Sequence, residues 1–184
     1  MTHTPEPIKF ELTDTTITHW GVTLYQIRAT EDIPRHGVRK GDLGGYVSST
    51  HLPSGNARVS GNAWVSGDAQ VFGNARVAGD AQVFGNARVA GDAEILQTWH
   101  YLVVGPIGSE GTHATLTRTK GGGHRLSVGC WEDGSLGTLM SEVKRRRRDL
   151  WTADEATQEL WTQQYRALRK LGRAVVARWT EDAS

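Results

Sequence analysis

Between Gly55 and Leu96 the chain repeats one hexapeptide, Gly-(Asn/Asp)-Ala-x-(Val/Ile)-x, seven times without a break. Glycine falls at 55, 61, 67, 73, 79, 85 and 91, alanine two residues later, and a branched aliphatic residue two after that, from Val59 to Ile95. A fixed period of this kind limits the architecture severely. Each repeat is a unit that buries its apolar side only by stacking on its neighbours.

Residues two apart in extended backbone share a face, so each alanine points the same way as the aliphatic residue that follows it. One methyl and one branched side chain per six residues suit the interior of a narrow coil of very short strands. The Gly-Asn and Gly-Asp pairs tolerate positive φ, which a sharp corner every six residues requires. Three hexapeptides make a coil of 18 residues, and stacking aligns Asn56, Asn74 and Asp92 in one corner column. Asn62 with Asp80 and Asp68 with Asn86 form the other two, while Arg58–Arg76–Glu94, Trp64–Gln82 and Gln70–Arg88 are the outward columns.

Val77-Ala78-Gly79-Asp80-Ala81-Gln82 carries the motif in full, and it resembles the hexapeptide-repeat family, whose members fold as left-handed parallel β-helices. Repeats with Ser60, Ser66, Phe72 or Phe84 after the aliphatic residue depart from that pattern, which puts aromatic surface outside. The expected fold is mostly β. A left-handed β-helix of about three coils occupies residues 46–98, after an N-terminal strand and cap segment over 1–45. A small α+β domain over 99–184 follows, with an antiparallel sheet and a long C-terminal amphipathic helix. The repeat alone has little core, because valines worth roughly 1.5–3 kcal/mol each oppose a chain entropy of about 1–2 kcal/mol per residue. Both ends therefore need caps.

The flanks are read from weaker signals. Val22 to Ala29 alternates as a strand, and Lys40 to Gly45 is turn chemistry leading into Tyr46-Val47, where an irregular earlier coil is expected before His51-Leu52-Pro53 breaks the register. Strand-like runs follow at Trp99–Val104, His113–Thr119 and His124–Trp131, separated by glycine-rich turns. Alternation puts Leu116 and Arg118 on one side, turns Leu126, Val128 and Cys130 to the core, and opposes Arg125, Ser127 and Trp131 to them. Leu139 to Val143 predicts a short helix ending in a solvated basic turn, Lys144 to Arg148. Ala156, Leu160, Trp161, Leu168, Leu171, Val175 and Trp179 recur at helical spacing, with Thr152 and Asp154 as candidate N-caps.

Tyr25–Ala29, Lys40–Gly45, the repeats, Gly105-Pro106-Ile107-Gly108, Arg118-Thr119-Lys120, Gly129-Cys130 and Gly137-Thr138-Leu139 together are similar to a family of bacteriophage and prophage proteins. That family is largely without assigned activity, and the resemblance spans nearly the whole chain. It departs at Trp131 to Ser135 and at the arginine run. What it implies is a phage-type origin and a place in the host cytoplasm.

Several function classes are disfavoured. A net charge of +1 gives no global field toward nucleic acid or membrane. Acidic residues (Asp149, Asp154, Glu155, Glu159) follow the Lys144 to Arg148 run and Trp151, which argues against a nucleic-acid grip. Met1 to Ile8 lack a secretory pattern, no apolar stretch approaches the roughly 20 residues that cross a bilayer, and the lone Cys130 cannot form an internal disulfide. An intracellular, non-membrane protein is expected. Scattered histidines and one cysteine offer no metal-ligand spacing, so no metal and no cofactor are expected. The hexapeptide resemblance implies one enzymatic alternative, acyl transfer from acyl coenzyme A bound between subunits. Such enzymes place a histidine base on a loop between coils, whereas nothing interrupts Gly55 to Leu96, and His51, His100, His113 and His124 lie outside it.

Binding remains. Arg118, Lys120 and Arg125 surround the Gly121–Gly123 turn, whose amides could meet phosphate, and Trp99 and Trp64 offer stacking surface. Trp64, Phe72 and Phe84 are expected to pack on flanking segments or a neighbouring subunit, with a homotrimer favoured. The favoured reading is a non-enzymatic phage-type binding protein that oligomerises through the β-helix and sequesters a small anionic ligand such as a host nucleotide immune signal, as a counter-defence. A hexapeptide acyltransferase and a structural scaffold in a protein complex are the alternatives.

Overall fold

In the computed structural model, which describes residues 6–19, 21–48 and 52–181, the repeat is a parallel β-solenoid. Before it come β1 (Phe10–His19), β2 (Val22–Ala29) and β3 (Leu43–Val47). The repeat supplies two-residue strands: β4 (Arg58–Val59), β5 (Trp64–Val65), β6 (Gln70–Val71), β7 (Arg76–Val77), β8 (Gln82–Val83), β9 (Arg88–Val89) and β10 (Glu94–Ile95). After it come β11 (Tyr101–Ile107), β12 (Thr112–Arg118), β13 (His124–Val128), β14 (Trp131–Gly134), α1 (Leu139–Asp149) and α2 (Glu155–Glu181). The chain divides into two compact units, one ending at His100 and the other beginning at Tyr101.

In the first unit each short strand pairs in parallel with the strand three repeats later: β4 with β7 and β7 with β10, β5 with β8, and β6 with β9. The ladder runs through backbone groups, as where Arg58 N–H donates to the Ala75 carbonyl at 2.9 Å and Ser60 N–H to that of Val77 at 3.0 Å. Inside, the alanines from Ala57 to Ala93 and the aliphatic residues from Val59 to Ile95 are all buried. At the corners the seven repeat glycines hold φ between +64° and +71°. A Cβ on Gly67 would stand 3.0 Å from the Gly85 nitrogen of the next layer. Corner amides also bond along the stack: Asn56 Nδ2 donates to Asn74 Oδ1 at 3.2 Å and Asn62 Nδ2 to Asp80 Oδ1 at 3.1 Å.

Both ends carry flanking segments. β3 pairs in parallel with β5, matching Tyr46 with Trp64 and Val47 with Val65, and the antiparallel hairpin β1–β2 continues that sheet in the order β1-β2-β3-β5-β8. The N-terminal arm follows a corner. Gly55 N–H donates to the Pro7 carbonyl and Gly73 N–H to Glu6 Oε2, both at 2.8 Å, and Lys9 Nζ donates to Asn56 Oδ1 at 3.1 Å. At the far end Thr98 Oγ1 accepts Gln82 N–H and His100 Nδ1 accepts Leu96 N–H, each at 3.3 Å.

The second unit is an antiparallel meander, β11-β12-β13-β14, with α2 packed on β11 and β12 and against α1. Leu116, Leu126, Leu139, Trp151, Tyr165, Leu168 and Trp179 form its core. Four expectations are corrected here. Trp99 lies in a 3-10 turn, Thr98–His100, before β11 begins. β13 ends at Val128, so Cys130 falls in the turn beyond Gly129 and is exposed rather than in the core. Trp131 opens a fourth strand opposite Val128 and packs on the core side. The basic run continues α1 as helix down to Asp149, with Arg145, Arg146, Arg147 and Arg148 each meeting a carboxylate.

α2 starts at the expected place: the Asp154 carboxylate accepts Thr157 N–H at 3.0 Å and its hydroxyl at 2.7 Å, which identifies Asp154 rather than Thr152 as the cap. Its core side is Thr162, Tyr165, Leu168 and Trp179, with Trp161 and Val175 partly buried. Leu160 and Leu171, which share the helical spacing, are 56% and 47% exposed. At 3.6 residues per turn they stand roughly 120–140° round the helix from Tyr165.

Candidate functional site

The outward columns of the solenoid are where its side chains become available for chemistry, and each face is furnished differently. On the β5–β8 face Trp64 and Phe84 stack with ring centroids 5.9 Å apart and planes at 26°. Trp64 is only 6% exposed, because the β1–β2 hairpin brings the His19 ring to 4.7 Å from it. Phe84, one layer further along, is 40% exposed. On the β6–β9 face the Arg88 guanidinium lies 4.7 Å from the centre of the Phe72 ring, a cation–π contact at the surface. Trp64 is therefore an internal packing residue, and Phe84 with the Phe72–Arg88 pair makes the outer aromatic surface.

The β4–β7–β10 face is ionic. Arg76 Nη1 meets Glu94 Oε1 at 3.1 Å, and Arg58 Nη1 donates to the His36 carbonyl at 2.8 Å, tying the 3-10 turn Pro34–His36 to the solenoid. Burial, with the cations of Arg58, Arg35 and Arg76, holds His36 below its ordinary value despite a bond to the Asn74 backbone that acts the other way. Beside this face a cavity of about 170 Å³ is lined by Phe10, Val38, Asp42, Leu43, Gly44, Arg58 and Val59. Its two charged groups are already engaged, Arg58 as described and Asp42 by the Arg39 N–H at 2.8 Å.

The residues expected to gather around an anion are not brought together within either unit. Arg118 pairs opposite His124 and Arg125 opposite Thr117, so the two arginines lie on opposite faces of the sheet. Arg118 is 9% exposed, and Arg125 is bridged to Asp133 at 2.7 Å. The Thr119–Gly123 turn uses amides internally, Thr119 N–H on the Gly123 carbonyl and Gly122 N–H on that of Thr119. Lys120 is exposed at its edge, and Trp99 belongs to the first unit, edge-on to His100. Of the histidines that flank the repeat or lie in the sheet, His51 lies outside the described residues, His100 is buried in the end cap, and His124 Nε2 accepts Leu136 N–H at 3.2 Å. Burial holds His124 below its ordinary value. Among the described residues no group of three or more His, Cys, Asp or Glu side chains is placed to hold a metal. No helix among them is long and apolar enough to cross a membrane.

One cluster was not foreseen. Arg146, only 5% exposed, donates through Nε to Glu142 Oε1 at 2.8 Å, approaches Glu110 at 3.7 Å and sets Nη2 3.8 Å from Cys130 Sγ. Arg145 bonds the same Glu142 carboxylate, and these two guanidiniums hold it below the usual carboxylate range against the opposing effect of burial. The i, i+4 spacing of Glu142 and Arg146 was the available signal. Arg147 likewise reaches Glu159 on α2 at 2.8 Å. The cluster is a helix-to-sheet clamp, saturated with its own counter-charges.

A family model described as the YdcK beta solenoid repeat matches residues 54–67, 69–83 and 81–95. No curated protein and no solved structure matches the chain. Residues 54–95 are thus similar to a β-solenoid repeat family, in agreement with the stacked parallel strands found there.

Proposed function

We propose that the protein is a non-enzymatic, phage-type binding protein whose repeat is a left-handed hexapeptide helix of about three coils, used as the surface through which copies assemble, with a trimer favoured. The observation that carries this reading is the uninterrupted solenoid with Phe84 40% exposed on one outer face and Phe72 beneath Arg88 on the next. A run without an inserted loop leaves no place among its coils for a general base, and His100 is occupied as a cap. The small anionic or nucleotide ligand expected from the sequence then belongs between copies. Arg118, Lys120, Arg125, Trp99 and Trp64 do not converge within a unit, whereas an assembled surface sets Arg88 and the two phenylalanines of neighbouring chains side by side.

Light scattering is the direct test. The expected mass is three times the 20.2 kDa chain, and Phe84→Glu together with Phe72→Glu is expected to return it to a smaller species without loss of β structure. Calorimetry on the assembled protein is expected to give binding of a cyclic or ADP-ribose-type nucleotide and none of acetyl coenzyme A. A mass unchanged by the double substitution would remove the assembly surface. Turnover of acetyl coenzyme A would return the acyltransferase to first place.

A further inference from the structure

The small cavity beside the β4–β7–β10 face joins apolar walls to two charges of opposite sign. It lies among the starts of β1, β3 and β4, wholly within the first unit. Buried Phe10, Val38 and Val59 line it together with exposed Leu43 and Asp42 and the half-buried Arg58. Both charged groups are oriented by neutral partners. Arg58 uses Nη1 on the His36 carbonyl and Asp42 uses Oδ2 on the Arg39 N–H, so neither bond answers a charge. Neighbouring cations are answered: Arg28, opposite Leu43 on the β2–β3 ladder, is bridged to Glu11, and Arg76, in register with Arg58, is bridged to Glu94. Among the described residues Arg58 and Asp42 have no ion-pair partner, not even each other.

We propose that this cavity binds a free aliphatic α-amino acid as its zwitterion, with the carboxylate on Arg58, the ammonium on Asp42 and the side chain over Phe10, Val38 and Val59. A simple carboxylate would answer the guanidinium and leave Asp42 without a counter-charge, and a simple amine would do the reverse. A ligand with both charges close together answers both groups and brings no net charge to an apolar wall. Size narrows the class further. The volume of about 170 Å³ is close to the roughly 150 Å³ that takes a benzene-sized body and well below the roughly 300–1,000 Å³ of pockets for drug-sized ligands. A branched aliphatic side chain fits such a space and a nucleotide does not. The apolar lining favours that side chain over the hydrogen of glycine, since each methylene removed from water adds to binding. The site is complete in one copy, so it is separate from the ligand proposed between copies.

The test is calorimetry on the full chain with L-leucine as the probe. Binding is expected at about 0.1–1 mM, as suits a small ligand whose charged end meets an exposed carboxylate. Glycine, isopentylamine and isocaproate lack the side chain, the carboxylate and the ammonium in turn, and each is expected to bind about tenfold more weakly or worse. Asp42→Asn keeps an oxygen for the Arg39 N–H and removes the charge, so it should weaken leucine by about tenfold but not isocaproate. Arg58→Gln should weaken both, with Arg58→Lys, which loses the bidentate fork, in its place should the β signal be lost. No heat with leucine up to about 10 mM, equal binding of leucine and any of the three analogues, or a leucine affinity insensitive to Asp42→Asn would overturn the proposal. Loss of leucine binding in a Phe72→Glu, Phe84→Glu double variant would place the ligand between copies and likewise overturn it.

Discussion

In the solenoid the same pair of side chains is buried seven times over, an alanine and a branched aliphatic residue per repeat, and the layers are joined chiefly by backbone hydrogen bonds. In the second unit no buried position has a counterpart: Trp151 lies edge-on to Trp161, Trp179 is fully buried, and a guanidinium, Arg146, is enclosed between α1 and the β13–β14 turn. Stability is spread evenly in the first case and concentrated at particular residues in the second. A change at one corner of the solenoid should be felt by the adjacent layer, and a change at one key residue of the second unit by the whole core.

The largest effect expected from this contrast is at Glu142. Glu142→Gln keeps the volume but removes the charge facing Arg146, and leaving a buried cation with only the exposed, more distant Glu110 should cost about 3–5 kcal/mol. Both α-helices described lie in the second unit, so thermal melting read by the helical far-UV signal reports that unit. Its midpoint should fall by many degrees while the parallel-strand signal melts where it did. A common drop in both signals would mean that the units melt as one, and the contrast between distributed and concentrated stability would fail.

A smaller effect tests the solenoid from within. Gly67 and Gly85 have nearly the same φ, +68° and +67°, so an alanine at either pays the left-handed backbone cost of about 1–2 kcal/mol. Only Gly67 has another layer against it, with the Gly85 nitrogen 3.0 Å and its carbonyl oxygen 3.3 Å from the new Cβ, whereas at Gly85 nothing lies within 4 Å. Gly67→Ala should therefore cost more than Gly85→Ala by about 1 kcal/mol, the scale of moderate overpacking. Equal losses in denaturant melts would show that the layers yield freely.

These two substitutions also mark what the sequence could and could not reveal. The repeat names the job of each position seven times, so strand pairs, corner columns and the buried set are legible in it. Asp154 was legible for a similar reason, since a cap is a local device. β1 was not, because Phe10–His19 reads as threonine-rich and polar; it is held by pairing with β2 and by a bulge in which Thr13 Oγ1 donates to the Gln26 carbonyl at 2.9 Å. Helical spacing picks out Leu160 and Leu171 as apolar positions of an amphipathic helix without saying which of two stripes the sheet covers. Arg118 and Arg125 were grouped by nearness in sequence to one turn, and strand alternation then set them on opposite faces. Trp64 was visible as outward-facing, but its cover, His19, arrives from a strand the pattern did not announce.

The smallest effect expected is a pH response that separates the units again. His124 Nε2 accepts the Leu136 N–H at 3.2 Å, which requires that nitrogen to be unprotonated, and burial depresses the folded-state value below the ordinary one near 6.5. The folded state then binds the proton less readily than the unfolded chain, so this contribution is complete above about pH 6.5 and is lost as pH falls through the depressed folded-state value. Its size should stay below the about 1 kcal/mol of one hydrogen bond. Glu142 acts in a lower window, since its depressed value makes its contribution complete above the usual carboxylate range and lost only below it. Melting of the helical signal should therefore decline gently as pH falls below about 6.5, ahead of the steeper acid loss. His124→Gln, whose amide oxygen can still accept from Leu136, should flatten the upper part alone. If the gentle decline persists in that variant, the proton is taken up elsewhere, and the hydrogen bond from β13 to Leu136 is not what the second unit loses first.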